Sequence, residues 1–181
     1  MLTTTSDTWE AITYEVRMFR ESCEVACDQP TLPERVLQNA VVESAVLHSR
    51  ILCDFLLDKK DKDDDVIISD VISHLGISKS NNFIKLMCKL SRHYNAQTPN
   101  TPYSPYTAFN KLMAHLTTHT GISGDYRPYF EEIRPVIQEI ITELECLTGV
   151  TFGRLGDPIS RPQEGVLDTS MPNLDPTPGE D

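Results

Sequence analysis

The sequence predicts an all-α fold, a bundle of about four to five helices over residues 1–150 followed by a disordered acidic C-terminal tail over residues 151–181. Three observations carry this expectation. Apolar residues recur at intervals of three and four through most of the first segment, with no strand-like alternation. Glycine and proline separate those runs and then crowd the end of the chain. The third observation is the stretch Phe109–Thr117, where Asn110, Lys111 and His115 interrupt an otherwise apolar helix-like run. Buried polar side chains are costly unless they pair, and a second apolar run offers Glu43, His48, Arg50 and Asp54 as partners. The expectation is one polar cluster inside a helical bundle.

The first helix is expected from about Thr8 to Cys27, with Asp7 and Glu10 spaced as a capping box. Trp9, Ile12, Val16, Phe19, Cys23 and Ala26 form its apolar stripe. Pro30 and Pro33 mark a turn, and Pro33 suits the first turn of a second helix running to about Asp58. That helix carries Val36, Leu37, Ala40, Val41, Leu47, Ile51, Leu52, Phe55 and Leu56 on more than one stripe, which places it at the centre of the bundle. Glu43, Arg50 and Asp54 share a face of it, so Arg50 can pair with Asp54 one turn on.

The run from Asp58 to Asp65 reads as a solvated charged loop. A calcium loop starting at Asp61 fails, because Val66 stands where glycine is needed and Ile72 where glutamate is needed. Val66–Leu75 is a short helix or an irregular apolar segment ending at Gly76. Asn82–Tyr94 resumes helical periodicity, with Phe83, Met87, Leu90 and Tyr94 on one side. On another side Lys85, Lys89 and Arg92 form a basic stripe, either a solvated face or a set of phosphate contacts. Asn95–Ser104, with Pro99 and Pro102, is expected as a surface loop.

Ser104 and Pro105 read as an N-cap and first turn of a helix ending near Gly121, with Phe109, Leu112 and Leu116 as its core stripe and Ala108, Lys111, His115 and His119 beside it. Asp125 and Pro128 signal a last long helix whose apolar positions are Phe130, Ile133, Ile137, Ile140, Leu144 and Leu147. Pro135 lies inside it and is expected to kink or divide it, since it cannot donate to the carbonyl of Glu131. Beyond Gly149 glycine, proline and scattered acids leave too few apolar residues to build a core.

The net charge of −11 disfavours non-specific contact with phosphate backbones, so RNA is a disfavoured partner. Cysteines at positions 23, 27, 53, 88 and 146 make an odd count without paired short spacings, which suits a reduced, cytoplasmic protein with thiols packed as small hydrophobes. No basic leader precedes an apolar stretch, and no run approaches the length of a membrane span, so no membrane association is expected. His115 and His119 stand four apart, as metal ligands on a helix can, but Leu116 occupies the position of the zincin glutamate and a third ligand is missing. No metal or cofactor is expected. No serine or cysteine sits in a glycine-flanked elbow, and no glycine-rich phosphate loop occurs.

The run Glu43–Phe55, the acids Asp63–Asp65 before an apolar segment, and Asn110–Lys111 followed by Ala114–His115–Leu116 resemble uncharacterised bacterial helical proteins of the HEPN superfamily. The resemblance covers roughly Val36 to Leu116. It implies a bundle of four or five helices that often dimerises and, in active members, a metal-independent ribonuclease in which an arginine and a histidine assist attack by the RNA 2'-hydroxyl. His115 matches that histidine. The arginine would fall on Ala108, Phe109 or Asn110, and none of these is arginine, although Lys111 or Arg50 could supply a cation from another position. The site expectation is therefore His115, Lys111 and Asn110, with Glu43, His48, Arg50 and Asp54 as a register-fixing or binding cluster. The resemblance implies a cytoplasmic, non-catalytic binding or interaction module in a defence or toxin–antitoxin setting, with a ribonuclease of degenerate motif as the alternative.

Overall fold

A computed structural model of the chain describes residues 5–28, 35–60, 62, 65–114 and 126–152. Among them are helices α1 (Thr5–Asp28), α2 (Arg35–Leu56), α3 (Ile68–His74), α4 (Asn81–Asn95), α5 (Pro105–Ala114) and α6 (Arg127–Thr148), and no strand. The all-α expectation holds. Pro33, the end of the fifth helix near Gly121 and residues 153–181 of the expected tail lie outside the described residues.

Helix α6 is the post of the bundle, touching α1, α2, α4 and α5. Its apolar positions repeat at three and four, which turns Phe130, Ile133, Ile137, Ile140 and Leu144 inward. Phe19 and Cys23 of α1, Leu52 and Leu56 of α2, Phe83, Leu90 and Tyr94 of α4 and Phe109 of α5 complete the buried centre. Pro135 does not divide α6, which runs unbroken. Pro135 and Glu131 are both exposed, so the carbonyl that loses its intrahelical donor is on the side open to water. Gly149 ends the helix at φ 70°, a left-handed position that suits glycine, and its N–H donates to the Glu145 carbonyl at 2.9 Å.

Three local expectations are corrected. Helix α1 begins at Thr5, so Asp7 stands inside its first turn and cannot be its cap. The Asp58–Asp65 run is more than a solvated loop. Asp58, at φ 54°, accepts from the Ser69 N–H at 2.9 Å and from Ser69 Oγ at 2.5 Å. It thereby caps α3 from eleven residues away, a task that Ile67 at the N-cap has no side-chain oxygen to perform. Lys60 pairs with Asp70 at 2.8 Å in the same corner. The Asn95–Ser104 loop lies at the surface as expected, with Asn95, Ala96, Gln97, Pro99, Asn100 and Pro102 exposed, and is anchored by the buried Thr98, whose N–H donates to the Tyr103 carbonyl at 3.0 Å. Ser104 caps α5 as expected, accepting from Thr107 N–H at 3.2 Å.

The third correction is at the boundary of the tail. Phe152 is fully buried, with its ring 5.6 Å from that of Trp9. Its N–H donates to Glu145 Oε1 at 3.0 Å and its carbonyl accepts from Arg20 at 2.6 Å, while Arg20 and Glu145 face each other at 3.5 Å. Three residues past the cap at Gly149, the chain is bolted across α1 and α6. Replacing Phe152 by Ala should therefore cost about 3 kcal/mol in urea unfolding. A change below about 0.5 kcal/mol, the range of ordinary surface positions, would place that ring outside the core.

Candidate functional site

The polar residues singled out in α2 and α5 divide among separate places. His115 and His119 lie outside the described residues. On α5, Lys111 holds its Nζ 3.6 Å from the centre of the Tyr103 ring, a cation–π contact. Asn110 donates from Nδ2 to the Tyr106 carbonyl at 2.8 Å, one turn back on its own helix. On α2, Arg50 Nε approaches Asp54 Oδ2 at 3.5 Å, the pairing expected from their spacing.

Asp54 extends that pair in a direction the sequence does not announce. Its Oδ1 lies 4.0 Å from Lys59 Nζ, and the same ammonium sits 4.2 Å from the centre of the Tyr106 ring and 4.8 Å from that of Tyr94. The two rings meet edge to face at 5.6 Å. A chain of contacts therefore runs from Arg50 through Asp54 and Lys59 to α4 and α5. Lys59 is hidden in a charge run and Tyr94 in a core stripe, Tyr106 carries no signal in the sequence, and only the tertiary fold brings the three together beside Asp54. The Arg50 and Asp54 side chains keep 31% and 26% of their exposure, so this network is half in water and its charges are screened.

Glu43 and His48 are not part of it. Glu43 is exposed on α2. His48 is buried, with Nδ1 2.7 Å from Glu15 Oε2 and its ring edge-on to Tyr14 at 5.9 Å. The expected single cluster is thus corrected to an Arg50–Asp54–Lys59 chain, a Glu15–His48 pair and an isolated Glu43. Helical geometry explains the split. His48 precedes Arg50 by two residues, roughly 200° around the axis, and Glu43 lies about 10 Å along it.

Burial settles the chemistry of three nearby groups. It pushes the Tyr94 phenol far above its ordinary range, with the Cys53 thiol and the Asp54 carboxylate adding to the effect. It also raises Cys53 well above the usual thiol value and pushes Cys23, whose Sγ lies 3.6 Å from Ser49 Oγ, up to about 12. These groups are neutral at physiological pH, so neither thiol is primed as a nucleophile. All five cysteines are free.

The basic stripe of α4 meets an acidic column on α6. Lys89 pairs with Glu139 at 3.0 Å, His93 hydrogen-bonds Glu132, and Glu143 accepts from Ser80 Oγ at 2.6 Å and Asn82 Nδ2 at 2.7 Å. Those two hydrogen bonds hold the Glu143 carboxyl below its usual range. Numbers rise along α4 as they fall along α6, so the two helices run antiparallel. Lys85 and Arg92 are exposed, but Lys89, the middle member of the stripe, is occupied. An open groove of ≈ 640 Å³ between the helices is lined by Leu86 and Pro135 together with Glu139 and Glu143, the wrong sign of charge for a phosphate. Among the described residues no group of three His, Cys, Asp or Glu side chains is placed to hold a metal, and no helix is long and apolar enough to cross a membrane.

Comparison with protein-family models, curated proteins and solved structures returns no match to this chain.

The Tyr94 hydroxyl is buried beside this network without a hydrogen-bond partner. Stranding a buried hydroxyl costs more than removing it. Tyr94→Phe keeps the ring against Tyr106 and Lys59 and should raise stability by about 1 kcal/mol. A loss of that size on chemical denaturation would mean that the hydroxyl is bonded in solution.

Proposed function

We propose that this chain is a non-catalytic, HEPN-like interaction module that works through protein–protein contact, self-association included. The observation that carries the reading is the outward side of α2, where Leu37 and Ile51 remain 49% and 36% exposed on a helix otherwise rich in core residues. Exposed apolar surface of this kind, when contiguous, marks contact sites. The employment of the polar residues supports the same reading. Lys111 covers the Tyr103 ring, Asn110 closes a turn of its own helix, and Arg50 faces Asp54, so each serves the bundle. Five free thiols suit a reducing compartment such as the cytoplasm. A place in a defence or toxin–antitoxin system follows from the HEPN resemblance alone.

The competing reading is a metal-independent ribonuclease centred on His115, with Lys111 or Arg50 in place of the missing arginine. Purified protein incubated with single-stranded RNA and a chelator should leave the RNA intact, and His115→Ala should change nothing in that assay. Chelator-resistant cleavage by the wild type, abolished in a folded His115→Ala variant, would replace the module by the enzyme.

A further inference from the structure

The outward face of α2 has a pattern of its own. Leu37, Ala40, Ser44, Leu47 and Ile51 follow one another at alternating intervals of three and four, the spacing of a coiled-coil seam. At about 100° per residue they lie on the opposite side of the helix from the core positions Ala45, Ser49, Leu52 and Leu56. Leu37, Ala40 and Ile51 are exposed, and Ser44 and Leu47 are half-buried. A helix on the outside of a bundle ordinarily presents charges there. This one presents five uncharged positions in succession, flanked on one side by Glu43 and Arg50, before the same spacing reaches Asp54.

We propose that the seam is covered by the same seam of a second copy of this chain, the two α2 helices running antiparallel about a two-fold axis. The proposal rests on the interaction-module reading and names its partner. Self-complementarity argues for it. With Ala40 opposite Ile51 of the second copy, Ser44 stands opposite Leu47, so the four layers between them each set a small side chain against a large one, while Leu37 meets Asp54 at either end of the seam. The same register sets Glu43 opposite Arg50 of the second copy, and the two-fold repeats that ion pair on the other side. Asp54 remains beside Arg50, which then lies between two carboxylates.

Other arrangements of the seam lack this match. The neighbouring antiparallel register, with Ala40 opposite Ser44, brings Glu43 against Glu43 of the second copy. A parallel pairing stacks Ala40 on Ala40 and Ser44 on Ser44, leaving gaps, and sets no opposite charges across the flank. The matched seam is only about three turns long, so the dimer is a weak, concentration-dependent one.

Sedimentation velocity on the full chain over a concentration series tests this directly. The wild type should move from the monomer mass of 20.4 kDa toward twice that value. Ala40→Glu, at an exposed position, and Leu47→Glu should each weaken association by about tenfold or more, with melting curves reporting that the bundle is intact. Glu43→Arg and Arg50→Glu should each weaken self-association alone, and an equimolar mixture of the two should restore it as a heterodimer. A wild type that stays monomeric throughout, or a dimer indifferent to all four substitutions, would overturn the proposal. So would a failure of the mixture to recover, since the register predicts it. RNA cleavage measured on the same samples reads the non-catalytic module separately, whatever the sedimentation result.

Discussion

The ring of Phe109 is the contact on which the arrangement of this bundle depends. It is fully buried on α5, with ring centres 5.5 Å from Phe130, 6.4 Å from Tyr129 and 6.4 Å from Tyr94. Through it α5 is held simultaneously against α4 and α6. Helices in proteins draw most of their stability from such packing and little from their own backbone. Everything proposed for the polar residues follows from that placement. Once α5 is seated, Tyr106 meets Tyr94 and Lys59, Asn110 is left to bond its own helix, and Lys111 is left to lie over Tyr103.

Charge is handled by the same logic of local pairing. The chain is strongly acidic, yet several of its acids are spent holding elements together: Asp58 on the first turn of α3, Glu15 on His48, and Glu132, Glu139 and Glu143 along α4. Surface ion pairs of this kind contribute little each. Their effect is to fix the register of antiparallel helices whose apolar faces alone would tolerate sliding. Glu145 shows the point most clearly, because it faces Arg20 and takes the Phe152 N–H, tying the segment after α6 to α1 and α6.

Features that depend on near neighbours in sequence were legible. The stripe Ile12–Val16–Phe19–Cys23, the stripe Phe83–Leu90–Tyr94 and the cap at Ser104 are all as expected, because helical period and capping act within a few residues. The Arg50–Asp54 pair was legible for the same reason. What was not legible acts through space. Asp58 reaches Ser69, Glu15 reaches His48, Lys59 reaches two rings on other helices, and Phe152 reaches Trp9, and no periodicity signals any of them. The expected single cluster failed because sharing a helical face does not mean sharing a place: Glu43 and Arg50 are two turns apart, and His48 looks toward α1. The apolar excess of α2 points to the centre of the bundle, yet Leu37, Ala40 and Ile51 stay exposed, because the monomer covers only the side that faces α1 and the core.

Hydrogen exchange on Phe109→Ala, compared with the wild type, tests the role of that ring most directly. If the ring couples α4, α5 and α6, the substitution should cost about 4 kcal/mol and lower the protection of all three helices together. Loss of protection confined to α5, with α4 and α6 as slow to exchange as before, would show that the bundle stands without it.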